Sequence, residues 1–325
     1  LWIGSLNGLY TYQLKSRQLN HFDSKQTGLP HNTIYSIIHT KDNQIYIGTY
    51  NGLCRYVQAS GKFENILLPV NRGGSNLFVN SLLEDAARQC IWIGMEGYLF
   101  QYNPTTGEMK AIEVFHNNSI KSLALDGDEN LLAGTDNGLY VYQNDKEPLQ
   151  HIIHDSRNIQ SLTNNIIWNI FSDQEHNIWL GTDYGISLSR YNSALQFVPI
   201  SQITGTGDGN QFYSLFRDSK GFYWFGGTNG VIRFTHPAGN KHDAIWYRMG
   251  DKNYPLSHNR IRHIYEDREQ QLWIATDGSI NRYDYNTHQF VHYNIVDSTG
   301  TYNTNWAYYL FEDCLLYTSP SPRDA

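Results

Sequence analysis

One short motif, an apolar residue followed by Trp, an apolar residue and Gly, recurs along the chain and limits its fold more than any other feature of the sequence. Seven copies or close variants of the motif begin at Leu1, Ile45, Ile91, Leu131, Ile178, Tyr223 and Leu272. Successive copies lie about 45 residues apart. A period of this length indicates a repeat architecture in which each unit is one small sheet.

Each repeat contains four segments with strand character. The motif is one strand, and the next begins at a second Gly, such as Gly138, whose tolerance of positive φ suits a tight hairpin. The segment ahead of the motif, such as Ile167–Asp173, has adjacent apolar residues that point to opposite faces. Both faces of that strand are therefore expected to be buried. A fourth, weaker segment, such as Phe197–Ile200, alternates loosely, as an outer edge strand does.

The order of these segments predicts a closed ring. The chain begins with three strands of one unit, continues through six complete units and then has a single inner strand. We therefore predict an all-β fold, a seven-bladed β-propeller of four-stranded antiparallel blades over residues 1–313. The C-terminal inner strand is expected to join the three N-terminal strands and close the ring, which removes free sheet edges. Because the chain begins inside a repeat, we interpret it as a fragment of a longer protein.

The last residues, 314–325, break every pattern of the repeats. They resemble the translation of a sequencing adapter, although a natural Ser/Pro linker is the alternative, and we exclude them from the predicted fold. Without Cys314, only Cys54 and Cys90 remain, which are too few for a disulfide framework or a zinc site.

Composition and motifs exclude several functions. The formal net charge is −7, from 24 basic and 31 acidic residues, and no basic run occurs, so we predict no nucleic-acid partner. No stretch of 18 apolar residues could span a membrane. Signatures of zinc proteases, serine hydrolases and phosphate-binding loops are missing. We therefore predict no cofactor, no metal site and no catalytic residues, while a catalytic pair assembled from different blades stays open.

Residues that recur in every repeat are interpreted as architecture. Most inner strands end in an Asp that precedes a turn, where a carboxylate can accept hydrogen bonds from nearby backbone groups. Five of the eight tryptophans share one repeat position, which indicates packing: Trp2, Trp92, Trp179, Trp224 and Trp273. Asn residues two positions before the inner strands receive the same structural interpretation: Asn32, Asn118, Asn165, Asn210, Asn259 and Asn305.

Ligand-binding candidates are therefore sought among residues that do not recur. In a propeller, the loops that enter the inner strands share one face with the tight turns after the motif strands. Aromatic and polar residues specific to single blades in or near those segments are the candidates: Tyr35, Trp168, Asp183, Tyr184, Asp208, Tyr213, Trp246, Arg262 and Trp306. Aromatic plates beside polar groups suit a sugar or a partner protein, and packing between blades is the alternative.

Two runs carry a family resemblance. Residues 161–186 and 256–276 closely resemble the two-component regulator propeller repeat, with Asn, Asp, Trp, Gly and Thr at fixed offsets. The resemblance extends over residues 1–313. Departures from the pattern are Leu132-Ala133 in place of Trp-Ile, Ala275 in place of Gly, and a shortened turn between Gly94 and Gly97.

The resemblance implies a periplasmic sensor region of the kind found in hybrid two-component kinases of Bacteroidetes. Such a propeller is expected to sense a ligand, an oligosaccharide in gut species, and to be non-catalytic itself. The implied partners are a second propeller and an immunoglobulin-like domain of the same chain, a histidine kinase output and a second copy in a homodimer.

Two alternative functions remain. One is a polysaccharide-active propeller enzyme, a glycoside hydrolase or lyase, which needs two carboxylates roughly 5–10 Å apart. The other is a protein-interaction scaffold.

Overall fold

The computed structural model describes residues 1–14, 16, 18–70, 77–112, 115, 118–142, 150–192, 195–201, 210–235, 243–253, 255–294 and 306–312. Within these ranges the chain forms 28 β-strands in seven sheets of four. Each sheet is one blade, and neighbouring strands within it are antiparallel. The predicted all-β, seven-bladed fold is therefore confirmed.

The strands follow the chain blade by blade, except in blade 1. Blade 1 contains β1 (Trp2–Ser5), β2 (Gly8–Tyr12), β3 (Leu19–Phe22) and β28 (Ala307–Phe311). Blade 2 contains β4 (Ile34–His39), β5 (Ile45–Thr49), β6 (Gly52–Val57) and β7 (Lys62–Ile66). Blade 3 contains β8 (Val79–Asp85), β9 (Cys90–Met95), β10 (Leu99–Tyr102) and β11 (Met109–Ala111). Blade 4 contains β12 (Ile120–Leu125), β13 (Leu131–Thr135), β14 (Gly138–Tyr142) and β15 (Gln150–Ile152).

The remaining blades repeat this order. Blade 5 contains β16 (Ile167–Ser172), β17 (Ile178–Thr182), β18 (Gly185–Ser189) and β19 (Phe197–Pro199). Blade 6 contains β20 (Phe212–Arg217), β21 (Tyr223–Gly227), β22 (Gly230–Phe234) and β23 (Ile245–Tyr247). Blade 7 contains β24 (Ile261–Glu266), β25 (Leu272–Thr276), β26 (Ile280–Asp284) and β27 (Gln289–Tyr293).

The ring closes where the first and last strands of the chain meet. β28 pairs with β1 and places Leu310 opposite Ile3, and it supplies the inner strand that blade 1 otherwise lacks. Ala307, Leu310 and Ile3 are buried together with Trp273 of blade 7. The predicted closure by a C-terminal inner strand is thus present. Among the described residues, none belongs to a helix with the length and apolar character needed to cross a bilayer.

The hydrophobic core lies between blades rather than inside one of them. Trp179 of blade 5 packs on Phe225 of blade 6, with ring centroids 5.2 Å apart. Trp224 contacts Tyr283 of blade 7 in the same way, at 4.8 Å. The five repeated tryptophans are at most 2% exposed, so their predicted packing role is confirmed. Because each blade is sandwiched between two neighbours, strands with apolar residues on both faces are required.

The repeated Asp serves two groups at once. In blade 5, Oδ1 of Asp173 accepts the backbone N–H groups of Glu175 and Asn177, which confirms the predicted turn. Its Oδ2 accepts the indole N–H of Trp179 at 2.8 Å. Equivalent Asp–Trp bonds occur in three other blades: Asp85–Trp92, Asp218–Trp224 and Asp267–Trp273. The indole bond explains why Asp and Trp recur together along the chain.

A close approach between blades explains the motif Gly and its one replacement. A Cβ at Gly94 would lie 2.7 Å from Cγ2 of Ile120, the first residue of the next inner strand. The same apolar contact recurs at Gly134, which faces Ile167. At the last seam, Ala275 replaces Gly, and the facing residue is the small Ala307 in the same buried cluster. The departure at Ala275 is therefore compensated across the seam.

Candidate functional site

A β-bulge near the start of every inner strand sets the geometry of the site. In blade 2, Ile34 pairs with Thr49 and Ser36 pairs with Gly48, so Tyr35 is the extra residue between them. The same shift occurs in the six other inner strands. A bulged residue leaves the ladder and its side chain is re-aimed. The bulged residues are Tyr35, Asn80, Lys121, Trp168, Tyr213, Arg262 and Tyr308.

These seven residues, one from each blade, line a single cavity on the propeller axis, called here the axial cavity. Its volume is about 550 Å³, within the range of small-ligand sites. The turns after the motif strands lie on the same face as the loops that enter the inner strands, since Gly185 donates its backbone N–H to the carbonyl of Asn210. The equivalent bond occurs from Gly8 to Asn32 and from Gly230 to Asn259. The side-chain Oδ1 atoms of these two Asn residues accept the backbone N–H groups of Ser24 and Met249, which supports their structural interpretation.

Residues one position further along the inner strands join neighbouring blades below the bulged positions. Oγ of Ser122 accepts the backbone N–H of Ile170 in the next blade at 3.0 Å, and Oγ of Ser214 accepts that of Ile264 at 2.9 Å. In blade 7 the acceptor is Nδ1 of His263, bonded to Leu310 N–H at 3.2 Å. These bonds hold the walls of the axial cavity in a fixed arrangement.

Trp168 is fixed by a polar network on the rim. Its indole N–H donates to Oδ1 of Asp183 at 3.0 Å, and the amide of Gln211 donates to the same oxygen. The hydroxyl of Tyr213 donates to Oε1 of Gln211. The ring of Tyr213 meets that of Trp168 edge to face, with centroids 5.3 Å apart. The two aromatic side chains therefore form one preorganised corner of the cavity.

Arg262 is a neutralised cation. It makes a bidentate ion pair with Asp277, with Nε–Oδ1 at 2.6 Å and Nη2–Oδ2 at 3.0 Å. Burial alone would lower the pKa of Arg262, but the hydrogen bond and charge of Asp277 outweigh it and the pKa is raised. Its guanidinium also lies 4.4 Å from the ring centroid of Tyr308. Arg262 is thus a permanent charge already matched by a carboxylate.

Lys121 is a cation without such a match. Its ammonium group lies 4.5 Å from the ring centroid of Trp168 in the next blade. Among the described residues, Lys121 makes no ion pair and no hydrogen bond through its side chain. The carboxylate at the corresponding rim position, Asp136, accepts the backbone N–H of Ser119. The charge of Lys121 therefore stays available to a ligand.

Tyr35 and Tyr308 complete the wall on the other side. Their ring centroids lie 6.4 Å apart, and neither hydroxyl has a hydrogen-bond partner among the described residues. Burial raises the pKa of both phenols, so both remain protonated donors at neutral pH. The cavity thus presents spare donor groups on two opposite sides.

The predicted site residues fall into separate locations. Tyr35, Trp168, Tyr213 and Arg262 line the axial cavity, and Asp183 holds Trp168 in place from the rim. Tyr184 and Trp306 are about half exposed on the same face, outside the described cavity wall.

The two other candidates lie elsewhere. Trp246 is on the outer strand β23, where Arg248 stacks on it at 4.5 Å. Asp208 lies outside the described residues.

Of the seven bulged residues, three were missed by the sequence analysis: Asn80, Lys121 and Tyr308. The signal for them was available. In an alignment of the seven inner strands, the second residue varies strongly although it lies between an apolar first position and a mostly small third position. Searching for aromatic residues found part of that column, whereas searching for the variable column would have found all of it.

A second depression, of about 400 Å³, lies at the opposite face between blades 4 and 5. Asp126, His176 and Tyr191 contribute to it. Its walls come from turns and strand ends, and the Asp at its edge is the turn-capping residue of blade 4, with Oδ1 accepting Asn130 N–H at 2.8 Å. No group of three metal-ligating side chains occurs anywhere in the described part of the chain.

Comparison with known proteins agrees with the repeat. The sequence profile of the family described as two component regulator propeller matches residues 28–51, 161–184, 206–229 and 255–278. Each matched segment extends from the loop before an inner strand to the turn after the motif strand, so four of the seven bulged positions fall within the matches.

Solved structures and a curated relative are also similar. Two crystal structures from B. thetaiotaomicron, described as the extracellular domain of a one component system and of a hybrid two component system, are 81% and 82% identical to this chain. Each alignment covers 96% of this chain and 42% of the solved chain, with a TM-score of 0.58. A histidine kinase from Formosa agariphila is 25% identical over 97% of this chain and 24% of its own length. The chain thus spans less than half of these relatives.

The fold is shared more widely. Virginiamycin B lyase from Staphylococcus aureus has 12% identity and a TM-score of 0.59, over 80% of this chain and 83% of the lyase. At that identity the similarity shows a common fold alone.

Proposed function

We propose, since this chain is built of two-component regulator propeller repeats, that it is part of the extracytoplasmic sensor region of a signalling receptor and binds its ligand in the axial cavity. The location is supported by the similarity to solved extracellular domains. The signalling role is supported by the similarity to a histidine kinase. One observation carries the choice of site: the variable position of all seven blades converges on one cavity of about 550 Å³.

The ligand class that we propose is an oligosaccharide. Sugars present C–H faces that pack on aromatic rings and hydroxyl oxygens that accept hydrogen bonds. Four of the seven bulged residues are aromatic, and Tyr35 and Tyr308 keep free hydroxyl donors. The corner formed by Trp168 and Tyr213 is preorganised, which reduces the entropy lost on binding.

Binding is a better match to this cavity than hydrolysis. A glycoside hydrolase places two carboxylates on either side of the scissile bond. The described wall of the axial cavity contributes aromatic, amide, hydroxyl and cationic side chains, and no Asp or Glu is among them. Among the nearby carboxylates, Asp183 and Asp277 accept hydrogen bonds from Trp168 and Arg262, and Asp136 accepts one from the backbone N–H of Ser119. We therefore propose a non-catalytic role for this propeller.

Isothermal titration calorimetry with a panel of plant and host oligosaccharides tests the proposal. We expect heat with at least one saccharide, and a loss of about 1–3 kcal/mol in binding free energy when Trp168→Ala removes the stacking corner. Tyr191→Ala, in the depression on the opposite face, is the matched aromatic control and should bind normally. No binding to any saccharide, or equal binding by Trp168→Ala and the parent chain, would show that the axial cavity is not a saccharide site.

The partners that we propose are other parts of the parent receptor. This chain corresponds to 42% of the solved extracellular domains and 24% of the histidine kinase, which supports a second propeller, an immunoglobulin-like domain and a kinase in the same chain.

We also propose that the receptor is a homodimer. Analytical ultracentrifugation of the complete extracellular region, with and without the saccharide, measures its oligomeric state, and a monomer under both conditions contradicts the dimer.

A further inference from the structure

We propose that the saccharide bound in the axial cavity carries an anionic group, a carboxylate or a sulfate, and that Lys121 is the residue that recognises it. The inference rests on the proposed function, because it assigns a chemical class to the ligand of the same cavity.

The balance of donors and acceptors in the cavity points to an acceptor-rich ligand. Lys121 offers ammonium protons, and Tyr35 and Tyr308 offer hydroxyl protons, without partners among the described residues. Asn80 uses one N–H of its amide, which donates to the carbonyl of Ile120 at 3.0 Å, and it contributes both a second N–H and an acceptor oxygen. A ligand that fills the cavity must supply acceptors to these donors, because donors buried without partners lower the affinity.

Lys121 and Arg262 occupy equivalent bulged positions but differ in their surroundings. Each is followed, fifteen residues later, by an Asp on the rim, Asp136 and Asp277. Arg262 is clamped by Asp277, whereas Asp136 makes no ion pair with Lys121 and the ammonium lies over Trp168 instead. One cation of the cavity is therefore neutralised and the other is left for an external anion.

The location of this charge is specific rather than a property of the whole surface. The chain has a formal net charge of −7, so its average field repels anions. The unpaired ammonium of Lys121 in the cavity wall provides a local attraction that opposes this average field. The ring of Trp168 fixes its position by a cation–π contact, which reduces the side-chain entropy lost when an anion binds.

Matched saccharides provide the test. Calorimetry compares tetrasaccharides of a uronic acid with their carboxyl-reduced, neutral counterparts and with a sulfated tetrasaccharide. We expect an anionic member to bind at least about tenfold more tightly than its neutral counterpart, as is typical of a hydrogen bond to a charged group. The advantage should shrink as NaCl rises from 50 to 500 mM, since salt screens exposed charges. The sulfated member distinguishes the two sources of charge.

Variants identify the residue. Lys121→Gln should remove the preference for the anionic saccharide while weak binding of the neutral one persists, and Lys121→Arg should retain the preference. Lys220→Gln is the matched control, since Lys220 also lies 4.5 Å from an aromatic ring centroid, that of Tyr285, but is not in the cavity wall. Thermal unfolding of each variant verifies that the ring is intact.

The outcomes separate the two proposals. If neutral and anionic saccharides bind equally and both depend on Trp168, the saccharide site stands and the anionic preference is wrong. If anionic saccharides bind better but Lys121→Gln changes nothing, Lys121 is not the recognising residue. If no saccharide binds, the proposed function fails and the inference fails with it.

Discussion

Asp218 illustrates how the repeated Asp accepts hydrogen bonds from every donor around it. Its Oδ1 accepts the backbone N–H groups of Lys220 and Phe222, and its Oδ2 accepts the indole N–H of Trp224 and the hydroxyl of Tyr285 from the next blade. Burial and the bond to this carboxylate both raise the pKa of Tyr285, so the phenol remains a donor. Because both oxygens of Asp218 accept hydrogen bonds from protein groups, we interpret this carboxylate as structural. The bulged residue Lys121 is the opposite case, because its donors are unused inside the protein.

His263, in the wall of the axial cavity, makes the stability of the ring depend on pH. Burial lowers the pKa of His263 to about 4 from its ordinary 6.5, and its neutral Nδ1 accepts Leu310 N–H from the closing strand. Because the unfolded chain binds a proton at higher pH than the folded chain, this stabilising contribution is present above pH 6.5. It is lost as the pH falls to about 4, by on the order of 3 kcal/mol.

His263→Asn tests this dependence. Asn169 occupies the equivalent position in blade 5, where its Oδ1 accepts Leu215 N–H, so Asn can replace the histidine as acceptor. Urea unfolding at pH 7 and pH 4.5 should show a smaller loss of unfolding free energy in the variant than in the parent chain. Equal losses in both proteins would mean that His263 does not control the acid response.

At the scale of the elements, each seam between blades is a matched pair of a motif strand and the next inner strand. The pair is a glycine and a larger apolar residue at Gly94 and Ile120, but two alanines at Ala275 and Ala307. The side-chain volume at the seam is therefore divided between the motif strand and the next inner strand. The inner strand also carries the bulge, so one element both packs the seam and aims a side chain at the axis.

Gly94→Ala should destabilise the protein, because the new methyl group would meet Cγ2 of Ile120 at 2.7 Å. Overpacking of this kind costs about 1–3 kcal/mol. Combining it with Ile120→Ala recreates the pair found at the last seam, so the double variant should be more stable than the sum of the single effects predicts. Urea unfolding of the four proteins measures the coupling, and strictly additive changes would contradict the matched-pair explanation.

Sequence predicted the elements of this fold better than its site. Strand order and the turn-forming role of Asp follow from local periodicity and side-chain chemistry, which act within a few residues, and closure follows from counting the strands along the chain. The contact between Lys121 and Trp168 depends on which blades are neighbours and on how the bulge orients the Lys121 side chain. A bulge is not visible in the sequence of one strand, and its position becomes apparent only when the seven inner strands are aligned and the variable second residue is compared. Trp246 is an error of the opposite kind: it was selected as a ligand-binding candidate because it is specific to one blade, but it lies on an outer strand away from the axial cavity.

At the scale of the whole molecule, the ring is a set of similar blades held by one non-sequential pairing. β28 covers the edge of β1 and buries Leu310 beside Ile3 and Trp273. It also contributes Tyr308 to the axial cavity. Closure therefore stabilises the ring and completes the cavity in one step, and the two effects should be lost together when the strand is removed.

A chain shortened to residues 1–294 tests this coupling. Removing β28 exposes the backbone edge of β1 and the apolar side chains that Leu310 covered, so we expect a lower melting temperature and self-association through the open edge. A synthetic peptide of residues 305–313 should restore the melting temperature by strand addition, and the same peptide with Leu310→Asn should not. Differential scanning calorimetry with increasing peptide concentration measures the effect. If the shortened chain melts at the temperature of the parent chain and ignores the peptide, closure by β28 does not hold the ring together.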